Sequence, residues 1–514
     1  VPMKRLLKLL TGRLFASFIL VVIQGTVLVW LLNNLLNVIV YYLPIVSILS
    51  FITVFIVVSR DDQPAFMITW IIVIMAIPVF GIPFYIIFGN KRGGKRVARQ
   101  VEKYQHHYEI EMRSLLPKPE ASVLETLVRM SPCLARQAAY IENLSSAPVW
   151  QHTSVEYFSL GEQAFKRILE EVAQATRFIF LEYFIIEEGE MWDTMLTLLQ
   201  KKIAEGVHVR LMYDDLGTIQ TLPARYDRRL RELGLSVAVF NKVRPHLNPR
   251  LNYRDHRKIL VIDGDVGFTG GVNFADEYIN RKIRFGHWKD TTVMIKGDAV
   301  WNLSLMFLQQ WIFATNEELD LSEFTPRNSY PDDGLVQPFG DSPLDGENVA
   351  ENAYIQIINN AKGYVWITTP YLIIDIQMSN ALCTAAQSGV DVRIITPFMP
   401  DKWYVHMVTR SYYKVLLQCG VRIFEYTPGF LHAKMFVSDD EVAIVGTTNM
   451  DYRSFYLHFE NGVAFYRSSV VADVRNDIRK TLDVSKEITL AQEQGVSLPK
   501  RFARALLKLF SPLL

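Results

Sequence analysis

The chain has 514 residues, a formal net charge of +1 and 50% hydrophobic residues. That length is too great for one compact core, so roughly three units of ordinary size are expected. The near-zero charge argues against a protein that tracks a nucleic-acid backbone, which needs a basic excess. Three scattered cysteines, Cys133, Cys383 and Cys419, offer neither a disulfide framework nor a zinc spacing.

In chain order, residues 14–32, 35–58 and 66–88 are apolar runs, each near the ~20 residues that a bilayer span needs. The first is too long for a signal-peptide core and another follows almost at once. Residues 1–90 are therefore predicted to be a membrane-anchoring helical region. Lys4, Arg5, Lys8 and Arg13 precede the runs, and Lys91, Arg92, Lys95, Arg96 and Arg99 follow them. Positive flanks belong in the cytoplasm, which requires an even number of crossings. The third run, interrupted by Pro78, Gly81 and Pro83, is then the re-entrant or interfacial one. This predicts a multi-pass protein of the cell membrane with its catalytic part in the cytoplasm. If all three runs cross, the amino terminus and the remainder lie on opposite sides. Residues 91–149 are predicted to be a basic juxtamembrane linker whose cations meet anionic headgroups, with His106 and His107 solvated in it.

From residue 150 an α/β pattern begins. Helical periodicity at 162–172 precedes a buried strand at 177–186. A helix near 190–205 leads to a strand at 207–215, and another near 223–233 leads to S-V-A-V-F. The order returns with a helix at 349–361, strand 364–371, helix 378–388, strand 390–397, helix 401–418 and the strand V-R-I-F-E-Y. Strands alternating with helices predict two mixed sheets, each covered by helices. Pro, Asp, Gly and Ser at 320–347 mark the boundary between halves spanning 150–325 and 326–498. The tail, 499–514, can set Lys500, Arg501, Arg504 and Lys508 opposite Ala505, Leu506, Leu509 and Phe510. It can lie on a membrane surface or pack against the domain.

The chemistry sits in an internal repeat. His256, Lys258, Asp263 and a trailing Gly270-Gly271-x-Asn273 return as His432, Lys434, Asp439 and Gly446-Thr447-x-Asn449. One H-x-K-x4-D is expected by chance only ~0.03 times in such a chain, so two in one frame are a repeat. Each copy reads as a buried hairpin with polar groups at its end. A phosphodiester is an anion, and attack on phosphorus builds further negative charge. Lys258 and Lys434 supply cations, and Asn273, Asn449 and the Thr447 hydroxyl supply donors. No metal and no cofactor are expected. One histidine attacks phosphorus; the other protonates the departing alcohol and deprotonates the incoming one. Asp263 and Asp439 either orient the imidazoles or cap the strand ends.

The paired motifs resemble the phospholipase D superfamily. G-G-V-N-F-A-D-E-Y-I-N-R (270–281), W-K-D (288–290) and N-M-D-Y-R-S-F (449–455) resemble bacterial cardiolipin synthases more narrowly. The resemblance implies two pseudo-symmetric phospholipase D-like halves behind a transmembrane helical region. It implies transfer of a phosphatidyl group from one phosphatidylglycerol to another, giving cardiolipin and glycerol, with the anionic membrane as partner and no nucleic acid. It assigns His256 as nucleophile and His432 as acid/base, and it makes Asp290 and Glu460, downstream of their respective histidines, the residues that orient the imidazoles. A membrane phospholipase D releasing phosphatidic acid is the alternative, and homo-oligomerisation stays open. Glu182, Tyr183 and Tyr371, at strand ends, are candidates for the cavity wall. His287, His406 and His458 are read as structural.

Overall fold

The structure, a computed structural model, describes residues 13–60, 62–89, 121–243, 253–344 and 346–513. The first two apolar runs form one continuous helix, Arg13–Val58. The third breaks as its prolines require, into helices Pro64–Ala76 and Pro78–Phe84 meeting at Ile77. Within Arg13–Val58, side chains are described at 19, 22–27, 29, 30 and 44–58. Among the described residues no helix is long and apolar enough to cross a membrane. The flanking basic residues 4–8 and 91–99, on which the predicted orientation rests, lie outside the described residues, as do His106 and His107.

The predicted linker 91–149 does not extend to its end. Helices Ala121–Met130 and Pro132–Ser145 occupy its last part. Val123, Leu127, Leu134, Ala138 and Ile141 bury one face of them in the core of the second half, because apolar residues at helical spacing are buried wherever a partner surface exists.

The first half contains β1 (Thr153–Phe158), β2 (Phe178–Tyr183), β3 (His208–Asp214), β4 (Ser236–Phe240), β5 (Arg254–Asp255), β6 (Lys258–Ile262), β7 (Val266–Gly270), β8 (His287–Lys289) and β9 (Thr292–Gly297). Its sheet runs β1-β9-β7-β6-β2-β3-β4. The β2–β3 and β3–β4 pairs are parallel and the others antiparallel. The second half contains β10 (Leu335–Asp341), β11 (Tyr364–Thr368), β12 (Leu372–Ile373), β13 (Asp391–Pro397), β14 (Arg422–Tyr426), β15 (Gly429–Leu431), β16 (Met435–Ser438), β17 (Val442–Gly446), β18 (Met450–Asp451), β19 (His458–Tyr466) and β20 (Ser485–Ile488). Its main sheet, β10-β19-β17-β16-β11-β13-β14-β20, retraces the same path with one added strand. The segment 320–347 is thus more than a connector, since β10 within it pairs with β19.

The halves are not separate globules. Helix Val300–Thr315, apolar on nearly every side, lies between the sheets, where a helix of that composition can bury its whole circumference. Trp301, Phe307 and Trp311 share one core with Phe180 of the first sheet, Met435 and Val463 of the second, and Val474 of helix Ser469–Asp483. Asn302 joins the halves. Its amide donates to the carbonyls of Pro148 and Pro338, and its oxygen accepts from the Trp150 indole.

The motif aspartates are structural. The β6–β7 hairpin closes through Asp263, Gly264 and Asp265, the first two at positive φ (55° and 79°), as tight hairpin turns require. The Asp263 carboxylate accepts from the backbone N–H groups of Thr176, Arg177 and Phe178 at 2.7–3.0 Å. Asp439 accepts in the same way from Lys362, Gly363 and Tyr364. Each stands at the end of its hairpin remote from the histidine and ties it to the neighbouring strand. Neither orients an imidazole.

The tail also differs from the sequence picture. Helix Leu498–Leu509 packs on helix Trp403–Gln418 with Arg504 buried and Leu507 against the core, and with Leu506 exposed. An amphipathic pattern alone does not say which face turns inward.

Replacing Asp263 with Ala strands three backbone donors, so a loss of about 2–3 kcal/mol is expected. Chemical denaturation should report that loss, while turnover per folded molecule stays within about threefold.

Candidate active site

Each half completes the other's catalytic edge. Strand β5, leading into His256, pairs in parallel with the start of β19 in the second half, and β15, leading into His432, pairs with β8 in the first. The His256 N–H therefore donates to the Phe459 carbonyl (2.9 Å), and the His432 N–H to that of Lys289 (2.8 Å).

The acidic partners are crossed as a result. Glu460 takes Nδ1 of His256 at 2.9 and 3.0 Å, and Asp290 takes Nδ1 of His432 at 2.6 Å. The sequence placed each carboxylate downstream of its own histidine, but the strand exchange hands it to the other copy's. With Nδ1–H engaged, Nε2 of each ring is the unshared base. Both histidines line one cavity of about 600 Å³, with Phe184, Asn273, Tyr278, Trp288, Tyr371, Asn449 and His458 among its other walls.

Lys258 and Lys434 are 1% and 2% exposed and donate to the carbonyls of His256 and His432. Lys434 Nζ also stands 2.8 Å from His432 Nδ1. Burial dominates the electrostatics. It depresses His256 to about 3 against the pull of Glu460, and His432 to about 4 with Lys434 adding to it and Asp290 opposing. It brings Lys258 down to about 7 and Lys434 to about 8. For Asp290 and Glu460, burial is outweighed by the facing imidazoles, so both carboxyls are held below their ordinary range. At neutral pH both imidazoles are uncharged.

Of the three predicted phosphate donors, Thr447 is spent on protein partners and Asn273, which lines the cavity, has one of its two amide N–H groups so engaged. Asn273 accepts from the Ile185 N–H (3.0 Å) and donates to the Tyr278 hydroxyl (2.7 Å). Thr447 donates to Glu460 and accepts from the Asn461 N–H, so it holds the carboxylate rather than a ligand. Gly271 in the first copy has a steric reason: a Cβ there would lie 2.0 Å from Asp290 Oδ1. Asn449 lines the cavity, and its buried carbonyl oxygen has no partner.

Sequence reasoning missed His458. It is 9% exposed, neither ring nitrogen has a hydrogen-bond partner, and its ring lies 5.5 Å from that of His256. The signal was its place two residues before Glu460 on one strand, which puts both side chains on the same face. Trp288 holds the matching place beside His432, with ring centroids 5.4 Å apart. His287 bonds the Tyr426 hydroxyl (2.9 Å), as a structural histidine does. Glu182 is fully buried against Arg257 (2.6 Å), and Tyr183 packs on Phe274, so neither joins the main cavity. Tyr371 does line it, and its hydroxyl donates to Asp401. Nitrogen and oxygen atoms of His256, His458 and Glu460 lie within 4.8 Å of one another, the arrangement among the described residues nearest to a metal-ligand set.

Two buried cations around two neutral imidazoles, each backed by a carboxylate, define a phosphoryl-transfer site of the phospholipase D type. The profile described as "Cardiolipin synthase, PLD-like domain" matches residues 168–297 and 354–482, and "Phospholipase_D-nuclease N-terminal" matches 48–90. A cardiolipin synthase of Halalkalibacterium halodurans is 36% identical over 477 residues, covering 91% of this chain and 93% of that one. One from Geobacillus is 35% identical over 470 residues, covering 90% and 91%. The crystal structure of a phosphatidylserine synthase from Haemophilus influenzae shares the fold, with a TM-score of 0.57 at 15% identity over 74% of this chain and all of that one. The chain belongs to the phospholipase D-like cardiolipin synthase family, and it is a phosphatidyltransferase.

The lysines are charged below about 7 and about 8 and lose that charge as pH rises. KM for an anionic phospholipid should therefore climb about tenfold between pH 7 and pH 9. The corresponding change in kcat should be smaller, because a bound phosphate keeps both ammonium groups protonated. Separate KM and kcat profiles in mixed micelles check this.

Proposed function

We propose that the protein makes cardiolipin from two molecules of phosphatidylglycerol through a phosphatidyl-histidine. Nε2 of His256 attacks phosphorus, the P–N bond forms and the P–O bond to glycerol breaks, and protonated His432 gives its proton to the leaving oxygen. A hydroxyl of the second phosphatidylglycerol then passes its proton to His432 while its oxygen displaces Nε2 from phosphorus. One phosphodiester replaces another, so no nucleotide is needed.

The observation that carries this reading is the pair of imidazoles held through Nδ1 on the walls of one cavity, each with a buried lysine bonded to its own carbonyl behind it. Lys258, Lys434 and Asn449 would meet the non-bridging oxygens. Asp290 and Glu460 keep the rings in one tautomer, and Thr447 steadies Glu460. The assignment of roles follows the family resemblance, in which the amino-terminal copy supplies the nucleophile; burial lowers both imidazoles alike. The phosphate anion raises the affinity of His432 for a proton when substrate binds. His458, whose Nδ1 lies 3.7 Å from Glu460 Oε1, is a further donor to the substrate through Nε2. Residues 1–90 anchor the protein in the membrane, with the catalytic halves on the cytoplasmic side. The apolar runs at 14–32, 35–58 and 66–88 and the basic residues flanking them in the sequence support that placement.

Purified protein in phosphatidylglycerol vesicles should release cardiolipin and glycerol in equal amounts. Phosphatidic acid as the main product would replace synthesis by hydrolysis. His256→Ala and His432→Ala should each lower turnover by at least about a thousandfold with folding intact. Mass spectrometry of acid-quenched enzyme should find the phosphatidyl adduct on His256, and an adduct on His432 would reverse the two roles. Glu460→Gln should cost about a hundredfold or more in kcat, with little change in KM.

A further inference from the structure

The carboxy-terminal helix, Leu498–Leu509, turns Arg504, Leu507 and Lys508 inward. Arg504 is buried, and its Nη1 lies 2.6 Å from Glu493 Oε2, itself buried. Lys508 Nζ sits 3.9 Å above the Tyr412 ring. These two contacts fix the rotation of the helix against helix Trp403–Gln418. What they turn outward is a stripe of large apolar side chains four residues apart: Leu498 at 77% exposure, Phe502 at 73% and Leu506 at 51%. Arg501, also exposed, flanks that stripe, while Lys500 is exposed on another side of the helix. A helix meant for water keeps the opposite orientation.

The stripe does not stand alone. The Thr69 hydroxyl donates to the carbonyl of Leu509 (2.8 Å), binding the end of this helix to Pro64–Ala76, where Ile68, Ile72 and Met75 are exposed. Phe66 of that same helix packs edge-on against Tyr452 and Tyr456 of the catalytic half. Beyond Leu509 the chain turns in, and Ser511 lines the catalytic cavity beside Tyr452. Other exposed apolar side chains adjoin residues of the cavity wall in sequence. Ile283 precedes Arg284, and Trp403 lies between Lys402 and Tyr404. Exposed apolar side chains thus occur on both of the helices that Thr69 joins and next in sequence to residues of the cavity wall.

We propose that Leu498, Phe502 and Leu506 seat the catalytic domain on the surface of an anionic bilayer, forming a lip over which a lipid passes into the cavity. The apolar side chains enter the acyl boundary while Arg501 meets anionic headgroups, the division of labour of an interfacial helix. The lip holds the cavity at headgroup level, so a phosphodiester reaches the two histidines without its acyl chains leaving the bilayer. The inference rests on the proposed lipid substrate.

The test uses the full chain in vesicles of phosphatidylglycerol and phosphatidylethanolamine. Phe502→Glu with Leu506→Glu should lower the rate on bilayer substrate at least tenfold. The rate on monomeric short-chain phosphatidylglycerol should stay within twofold of wild type, because both side chains are exposed and distant from the reacting atoms. Equal rates for variant and wild type on bilayers overturn the proposal, as does an equal loss on both substrates. With p-benzoylphenylalanine in place of Phe502, irradiation should give a phospholipid adduct. A cross-linked dimer would assign the stripe to a second copy, and the absence of any adduct would leave it facing water; either result overturns the proposal. Wild-type protein inactive on every phosphatidylglycerol substrate would instead sink the proposed function, while the cross-link still decides whether the stripe touches lipid.

Discussion

The site depends on two carboxylate–imidazole contacts that cross between the halves. Glu460 reaches His256 and Asp290 reaches His432 only because β5 lies along β19 and β15 along β8. All four groups are buried, and an unpaired charge there would cost several kcal/mol. The crossing therefore couples assembly to chemistry. Any arrangement that separates the halves strands two carboxylates and leaves both imidazoles free to turn. The shared core around Trp301, Phe307 and Trp311 holds the halves in the register those contacts need.

The repeat is symmetric in backbone and asymmetric in side chains. One copy places Thr447 on the longer carboxylate, Glu460; the other clears space with Gly271 for the shorter one, Asp290. An imidazole, His458, stands beside His256, whereas an indole, Trp288, stands beside His432. A two-step transfer needs such inequality, because one ring must carry the phosphatidyl group while the other carries a proton. Small differences in burial and neighbouring charge suffice to divide the labour, since each pKa unit corresponds to about 1.4 kcal/mol.

The same buried cations that favour a phosphate tax the empty site. Lys258 and Lys434 are held well below a free lysine by loss of solvent, with Glu460 and Asp290 as the nearest compensation. An anionic substrate relieves that strain, so binding and protonation are linked. Phe184, Tyr278, Trp288 and Tyr371 give the cavity apolar walls beside the histidines, and Arg284, Asp401 and Arg453 give it charged ones.

The sequence by itself determined the repeat, the α/β order of both halves, the helix-breaking third apolar run and the identity of the two His–Lys pairs. These are local signals, carried by spacing along one stretch of chain. Only the tertiary structure decided which carboxylate serves which histidine. It also moved Asp263 and Asp439 from the chemistry to the hairpin turns, committed Thr447 and one amide N–H of Asn273 to protein partners, and brought His458 into the cavity. It turned Arg504 inward and Leu506 outward in the tail helix. Those outcomes depend on which distant strand lies alongside and which polar atom is already satisfied. Both are set by packing between segments far apart in the chain, and no periodicity within either segment records them.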